Sequence, residues 1–448
     1  MGPYKKTRIG MQFIKIGIFG LGVVGASVVS IIRKNQDLIQ SRLGAGLEVT
    51  RAVVANPGKP RDISLEGISL STDPATILDD PEIDIVVELI GGVDLAGEIV
   101  LQALERDKPV VTANKALLAE RAREIFTKVY EKDLPLGLEA SVAGGIPVLR
   151  SLKEGLSADR IIEISGIVNG TCNYILSKMT AEGASFDDVL AEAQSLGYAE
   201  ADPAFDVEGF DAAHKLAILV NLAYGTMVNF KDIHVEGITA ITPMDIEYAG
   251  LLGFTVKLLA IGKIHGEVVE ARVHPALVAN DHLLASVNGV FNAVFLTGDN
   301  ADATMSYGRG AGGLPTGSAV VSDIIDIARN LRAGIRNKIP ALSVIQERLR
   351  DLEIMKMDRI RSEYYLRFQV FDRVGVLAQI TRVMGDNNIS IQSMIQPALS
   401  DHPDDPVQVI LITHRAREAD VQKSLAEIAH FDFIAGETQL IRIERFTG

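Results

Sequence analysis

The 448-residue sequence predicts an α/β protein: a doubly wound parallel sheet, then a second α+β domain with a mixed sheet, then a C-terminal ferredoxin-like βαββαβ module. Three observations carry this prediction. Short β-branched runs alternate with helical stretches over residues 13–113, strand-like runs gather over 160–307, and the pattern resets after residue 360 into strand, helix, strand, strand, helix, strand. The length suits two to three domains, and 47% hydrophobic residues support sizeable cores. A net charge of −14 without a long basic patch argues against a nucleic-acid partner. Cys172, the single cysteine, can form no intramolecular disulfide. No run reaches the roughly 18 uncharged apolar residues that span a bilayer. The basic N-terminal stretch contains Lys15 in its apolar run and leads into a glycine motif in place of a cleavage site, so a cytoplasmic protein without a membrane partner is expected.

The first strand, 13–19, runs into Gly20, Leu21, Gly22, Val23, Val24 and Gly25 and then a helical pattern over 27–32. Strand, glycine turn and helix in that order form the dinucleotide fingerprint of a Rossmann-type sheet. The first glycine permits the turn, the second lets backbone approach a pyrophosphate, and the third lets helix and strand pack closely. Further parallel strands are expected at 48–55, 83–90 and 109–113. At the end of the second strand, where an acid would bind the ribose of NAD, the chain has Val54, Ala55, Asn56, Pro57, Gly58, Lys59, Pro60 and Arg61. Lys59 and Arg61 either neutralise a 2′-phosphate or decorate a surface loop; the first reading predicts NADP with NAD tolerated. The later strand ends offer Ile90 and Gly91, then Thr112 and Lys115, to the same crevice as Gly20 and Gly22.

From residue 137 a carboxylate, Glu139, precedes a turn of small residues whose carbonyls suit a hard monovalent cation, or form a plain interdomain turn. Strands at 160–171, 265–273, 286–295 and 303–307 predict the second sheet, expected to hold the substrate and a dimer surface. A glycine-rich loop over 308–317 then leads into a helical run that returns to the nucleotide domain. The densest chemistry lies over 193–215, which contains five carboxylates, Glu200, Asp202, Asp206, Glu208 and Asp211, with Lys215 at its end. Asp211 and Lys215 are spaced to share one helix face, and Gly197, Pro203 and Gly209 punctuate the loop before them. Taken alone, this segment reads equally as a binding site or as a solvated acidic loop with an ordinary ion pair.

The order Ala193, Gly197, Tyr198, Glu200, Asp202, Pro203, Asp206, Gly209, Asp211, Lys215 resembles the signature of homoserine dehydrogenases at every position. The resemblance implies reduction of L-aspartate 4-semialdehyde to L-homoserine. It gives Lys215 the proton, Asp211 its orientation, and Lys115 a contact with substrate or cofactor. Gly197, Glu200, Asp206 and Asp211 are the implied substrate contacts, and Gly312 a backbone contact near the nicotinamide. It also implies sodium at Glu139, Val142, Gly144 and Ile146. Members of this family often carry an arginine just after the second strand, where this chain has Ala55 or Asn56.

Residues 336–357 are helical in pattern and read as a connector. Beyond them the chain resembles an ACT domain, with Asp372, Gly375, Val376, Leu377 and Asn388 as the implied effector contacts and threonine as the implied effector. The alternative is a module that only dimerises. The expected division is 1–136 with about 309–340 for the nucleotide, 137–308 for catalysis and dimerisation, 341–360 as linker and 361–448 as the regulatory domain. A homodimer or homotetramer follows. The competing readings are another semialdehyde or amino-acid dehydrogenase, and an amino-acid sensor whose catalytic half has decayed.

Overall fold

The computed structural model describes residues 13–396 and 405–446. In its N-terminal third, β1 (Phe13–Phe19), β2 (Gly46–Val53), β3 (Ser69–Ser71), β4 (Ile85–Glu88), β5 (Val110–Thr112) and β6 (Leu136–Gly137) form one parallel sheet in the order 3-2-1-4-5-6. The expected parallel sheet is present, with β3 and β6 added as edge strands too short to show a sequence pattern. Phe19 lies opposite Glu88, and Glu88 opposite Thr112, so the loops after β1, β4 and β5 emerge along one edge. That edge is where open parallel sheets bind ligands. Isoleucines 14, 16 and 18 pack on one face beneath helix Val23–Lys34 and helix Gly313–Ala333. Gly313 and Gly317 let those two helices meet, because a Cβ at Gly317 would already stand 3.0 Å from the Ser27 Cβ.

The second sheet is mixed. Its strands run Ala303–Arg309, Phe291–Gly298, Ile161–Ile167, Phe254–His265, Val268–Ala279, then Gln439–Glu444, Arg361–Phe371, Pro406–Thr413 and Ile391–Ile395. The C-terminal module has the expected βαββαβ order, with helices Val376–Asp386 and Glu418–Ile428 on one face. Its last strand pairs in parallel with Val268–Ala279, matching Ala276 to Arg442 and Val278 to Glu444. Catalytic and C-terminal sheets are therefore continuous.

Three expectations need correction. The strand expected at 265–273 begins only at Val268 and runs on to Ala279, because the chain turns around Gly266, at φ 66°, to pair it with strand Phe254–His265. The strand expected at 286–295 begins only at Phe291, after a 3₁₀ turn at Leu283–Ser286. The helical connector over 336–357 contains no α-helix: Pro340 interrupts it, Arg350 donates its amide to the Gly225 carbonyl, and Glu353–Ile354 adds to strand Val268–Ala279. Pro397 and the basic residues before Phe13 lie outside the described residues. Among the described residues no helix is long and apolar enough to cross a membrane.

Candidate active site

Helix Phe210–Tyr224 is the element on which the site is built. Its sequence is apolar nearly all round because it is buried on both sides, over strands Phe254–His265 and Val268–Ala279 and under helix Lys115–Glu120. Gly209 at φ 90° and Gly225 at φ 60° bound it. Asp211 and Lys215 face the end of strand Ile161–Ile167. The Lys215 ammonium donates to Asp211 Oδ2 at 2.6 Å and to the Val168 carbonyl at 2.7 Å. Across the seam, Lys115 Nζ stands 3.1 Å from Asp211 Oδ1. Asp211 thus lies between two ammonium groups contributed by different halves of the chain. Burial by itself would raise its carboxyl, but Lys215 and Lys115 outweigh burial and hold it at about 2.

Asn169 completes the cluster. Its Nδ2 donates to Asp211 Oδ2 at 2.8 Å and to Asp206 Oδ1 at 2.7 Å, while its Oδ1 accepts from the Cys172 amide and caps helix Gly170–Glu182. Asp206 is raised by burial and then by the Asp211 charge, so its pocket favours an incoming cation. Glu200 and Gly197 remain exposed on the loop before it, outside this hydrogen-bonded cluster; Gly197 takes φ 74° and no atom lies within 4 Å of where its Cβ would be.

The nucleotide crevice opens beside Lys115. Gly20 turns the chain at φ 94°, and a Cβ on Gly25 would overlap the Gly20 carbonyl. Gly22, which caps helix Val23–Lys34 with no side-chain partner, has open space where a Cβ would be. Open space in front of uncapped amides fits a pyrophosphate. Leu21 is buried, whereas Val23 stands exposed at the rim. Glu88 shapes the next loop: its carboxylate accepts from the Ile90 and Gly91 amides and from the Thr112 hydroxyl. Thr112 is consequently buried and gives its hydroxyl to the strand end, not to the crevice. Gly312, at φ 125°, starts helix Gly313–Ala333 against Val23.

The comparisons with known proteins agree with this geometry. The family model "Homoserine dehydrogenase, NAD binding domain" matches residues 20–133, "Homoserine dehydrogenase" matches 147–325 and "ACT domain" matches 364–430. A homoserine dehydrogenase of Pseudomonas aeruginosa is 44% identical over 97% of this chain and 100% of its own. The chain belongs to the homoserine dehydrogenase family. It is an NAD(P)-dependent oxidoreductase with a C-terminal ACT domain. A crystal structure of a homoserine dehydrogenase from Thiobacillus denitrificans superposes with a TM-score of 0.91 at 46% identity, covering 97% of this chain and 99% of that one. A hyperthermophilic archaeal homoserine dehydrogenase in complex with NADPH superposes at 0.61 with 27% identity, covering 72% of this chain and 99% of that one.

The remaining family-implied residues fall in three places. Arg61 folds back on its own loop and donates to the carbonyls of Asn56, Pro57 and Lys59, with Lys59 exposed beside it. Glu139 is buried where the two halves join, and its carboxylate accepts from the Leu149 and Arg150 amides. Burial and then Asp323 raise that carboxyl to about 7. Gly144, at φ 51°, brings its turn against the Gly310 carbonyl, where a side chain would collide. Val142 and Ile146 are buried in that turn. Among the described residues no group of three or more His, Cys, Asp or Glu could hold a metal ion.

In the ACT domain, Gly375 at φ 91° starts helix Val376–Asp386 and Asn388 at φ 60° ends the turn after it, while the Asp372 carboxylate accepts from the Gln396 amide at 3.4 Å. Val376 and Leu377 pack into the domain's core. The sequence singled out neither Asn169 nor His214 for a role. Asn169 had one available signal, an N-capping residue at the predicted end of a strand.

Proposed function

We propose that the chain reduces L-aspartate 4-semialdehyde reversibly to L-homoserine, with Lys215 as the proton donor. The carrying observation is the Lys215–Asp211–Lys115 row. An ammonium has three N–H groups, and Lys215 uses one on Val168 and one on Asp211, leaving the third for a substrate oxygen. When bound, the dihydronicotinamide supplies the hydride to the aldehyde carbon. Lys215 stabilises the developing alkoxide and gives it a proton, and solvent returns that proton to the amine. Asp211 fixes the ammonium in place, and Lys115 adds positive charge at the mouth of the site. Asp206 holds the substrate α-ammonium, joined by Glu200 and the Gly197 backbone from the exposed loop.

NADPH is the proposed cofactor, with NADH tolerated. Support comes from the absence of an acid at the end of β2, from Lys59 and Arg61 in the following loop, and from the NADPH complex of the archaeal relative. Gly20 to Gly25, Ile90, Gly91 and Gly312 form the rest of the proposed cofactor contacts. A sodium ion is proposed at Glu139, Val142, Gly144 and Ile146. Residues 1–136 with about 309–340, 137–308, 341–360 and 361–448 are the proposed nucleotide, catalytic, linker and regulatory parts. The pathway is threonine, methionine and isoleucine biosynthesis, with feedback by threonine at Asp372, Gly375, Val376, Leu377 and Asn388 in a homodimer or homotetramer.

The deciding experiment is the initial rate of NADPH consumption with L-aspartate 4-semialdehyde for the intact protein and for Lys215→Ala. A fast rate lost in the variant supports the reading. An intact protein that binds NADPH without turnover overturns it.

A further inference from the structure

His214 lies between Asp211 and Lys215 in sequence but points elsewhere. Its side chain is only 3% exposed. The ring meets Phe205 edge-on at 5.3 Å and Phe230 at 4.2 Å. Nε2 faces Glu120 Oε1 at 3.5 Å, and Nδ1 is buried with no hydrogen-bond partner. Glu120 is the last residue of helix Lys115–Glu120, whose first residue is Lys115. Phe205, which touches the His214 ring, also lies 5.9 Å below the Lys115 ammonium.

The short helix therefore meets the catalytic helix at both ends, Lys115 pairing with Asp211 and Glu120 lying beside the His214 ring. That helix follows β5 at the edge of the nucleotide crevice, whereas His214 belongs to the helix that carries Lys215. We propose that His214 is a positioning residue: through Glu120 and Phe205 it holds the Lys115 helix in register with the Lys215 helix, setting the approach of the two ammonium groups to one substrate.

A packing role alone fits poorly. A phenylalanine would fill the gap between Phe205 and Phe230, whereas a buried ring nitrogen without a partner destabilises the fold. Burial and then the nearby Lys115 lower the His214 imidazole to about 4. It is neutral in the working range, and Nε2, facing a carboxylate, carries the proton. The charged groups around it are Lys115 and Glu120 on the facing helix and Asp211 and Lys215 on its own.

This inference rests on the proposed role of Lys115, and the test separates the two. Steady-state rates and thermal stability are measured for His214→Phe, Lys115→Ala and the double variant. Expected is a His214→Phe protein as stable as the parent or more so, with kcat about tenfold lower, the size of loss a small misplacement produces. In the Lys115→Ala background the second change should have no further effect, since there is no ammonium left to position. A His214→Phe enzyme at parental kcat, or losses that multiply in the double variant, overturns the inference. Parental kcat in Lys115→Ala removes the role of Lys115 and the inference together. His214→Ala is the second variant: it should lose stability as well as rate, and Glu120→Ala should match His214→Phe in rate.

Discussion

Arg367 grips Asp245 across the boundary between the ACT domain and the catalytic half, its Nε and one terminal nitrogen lying 2.7 and 3.1 Å from the two carboxylate oxygens. Asp245 is fully buried and also closes the capping box of helix Pro243–Leu251 through Thr242. Nearby, Arg442 from the last strand reaches Glu418 in its own domain and Glu236 in the catalytic half. The ACT domain is thus held by sheet pairing and buried charge together.

Removing one partner of a buried pair leaves the other uncompensated, so Arg367→Ala should lower unfolding free energy by about 3 kcal/mol. Urea denaturation measures it. Arg123→Ala, whose partner Asp351 is largely exposed, should show no measurable change. Equal effects in the two variants would contradict the buried-strut reading.

Gly22 and Gly25 should respond oppositely to alanine. At Gly25 the new methyl overlaps the Gly20 carbonyl, and the fold should lose stability or soluble yield. At Gly22 the methyl meets no protein atom and enters the space assigned to the pyrophosphate. Gly22→Ala should fold like the parent, with an NADPH Kd raised at least tenfold by fluorescence titration.

Asn169 combines two jobs that substitutions can separate. Asn169→Ala should cost about 1 kcal/mol from the lost helix cap and roughly a hundredfold in kcat/KM from releasing Asp206 and Asp211. Asn169→Ser keeps a capping oxygen, so its melting temperature should recover while its activity does not. Recovery of both would mean that the amide bridge has no part in the reaction.

Lys257 is fully buried, and its ammonium is held by neutral oxygens, the Val287 carbonyl at 2.6 Å and Asn288 Oδ1 at 3.0 Å. Burial lowers it to about 8. Between that value and the 10.5 of an ordinary lysine, the unfolded chain binds more protons than the native one. Stability from this group should therefore rise with pH across that window, by on the order of 3 kcal/mol, and be lost as pH falls to about 8. Melting temperatures between pH 8 and 10 should show this rise for the parent, with Lys257→Met the control that loses it.

Features set by neighbours in the chain were legible from sequence alone. The turn of Gly20 to Gly25 is a local steric requirement, and the spacing of Asp211 and Lys215 follows from helix geometry. The βαββαβ order could be read because each element carries its own period. Tertiary contact overrode local pattern at the connector, whose helical period lost to pairing with strand Val268–Ala279.

By itself, then, the sequence determined the parallel sheet, its glycine turn, the helix face shared by Asp211 and Lys215, and the family. Only the tertiary structure decided that Lys115 meets Asp211, that Asn169 bridges two aspartates, that His214 faces Glu120, and that the ACT sheet continues the catalytic one. The physical reason is range. Turn sterics and helical spacing act over a few residues and leave a periodic trace, whereas an ion pair such as Lys115 with Asp211, or the ladder between 276–278 and 442–444, joins distant segments. Such contacts exist only once burial has brought those segments together, and no local pattern encodes them.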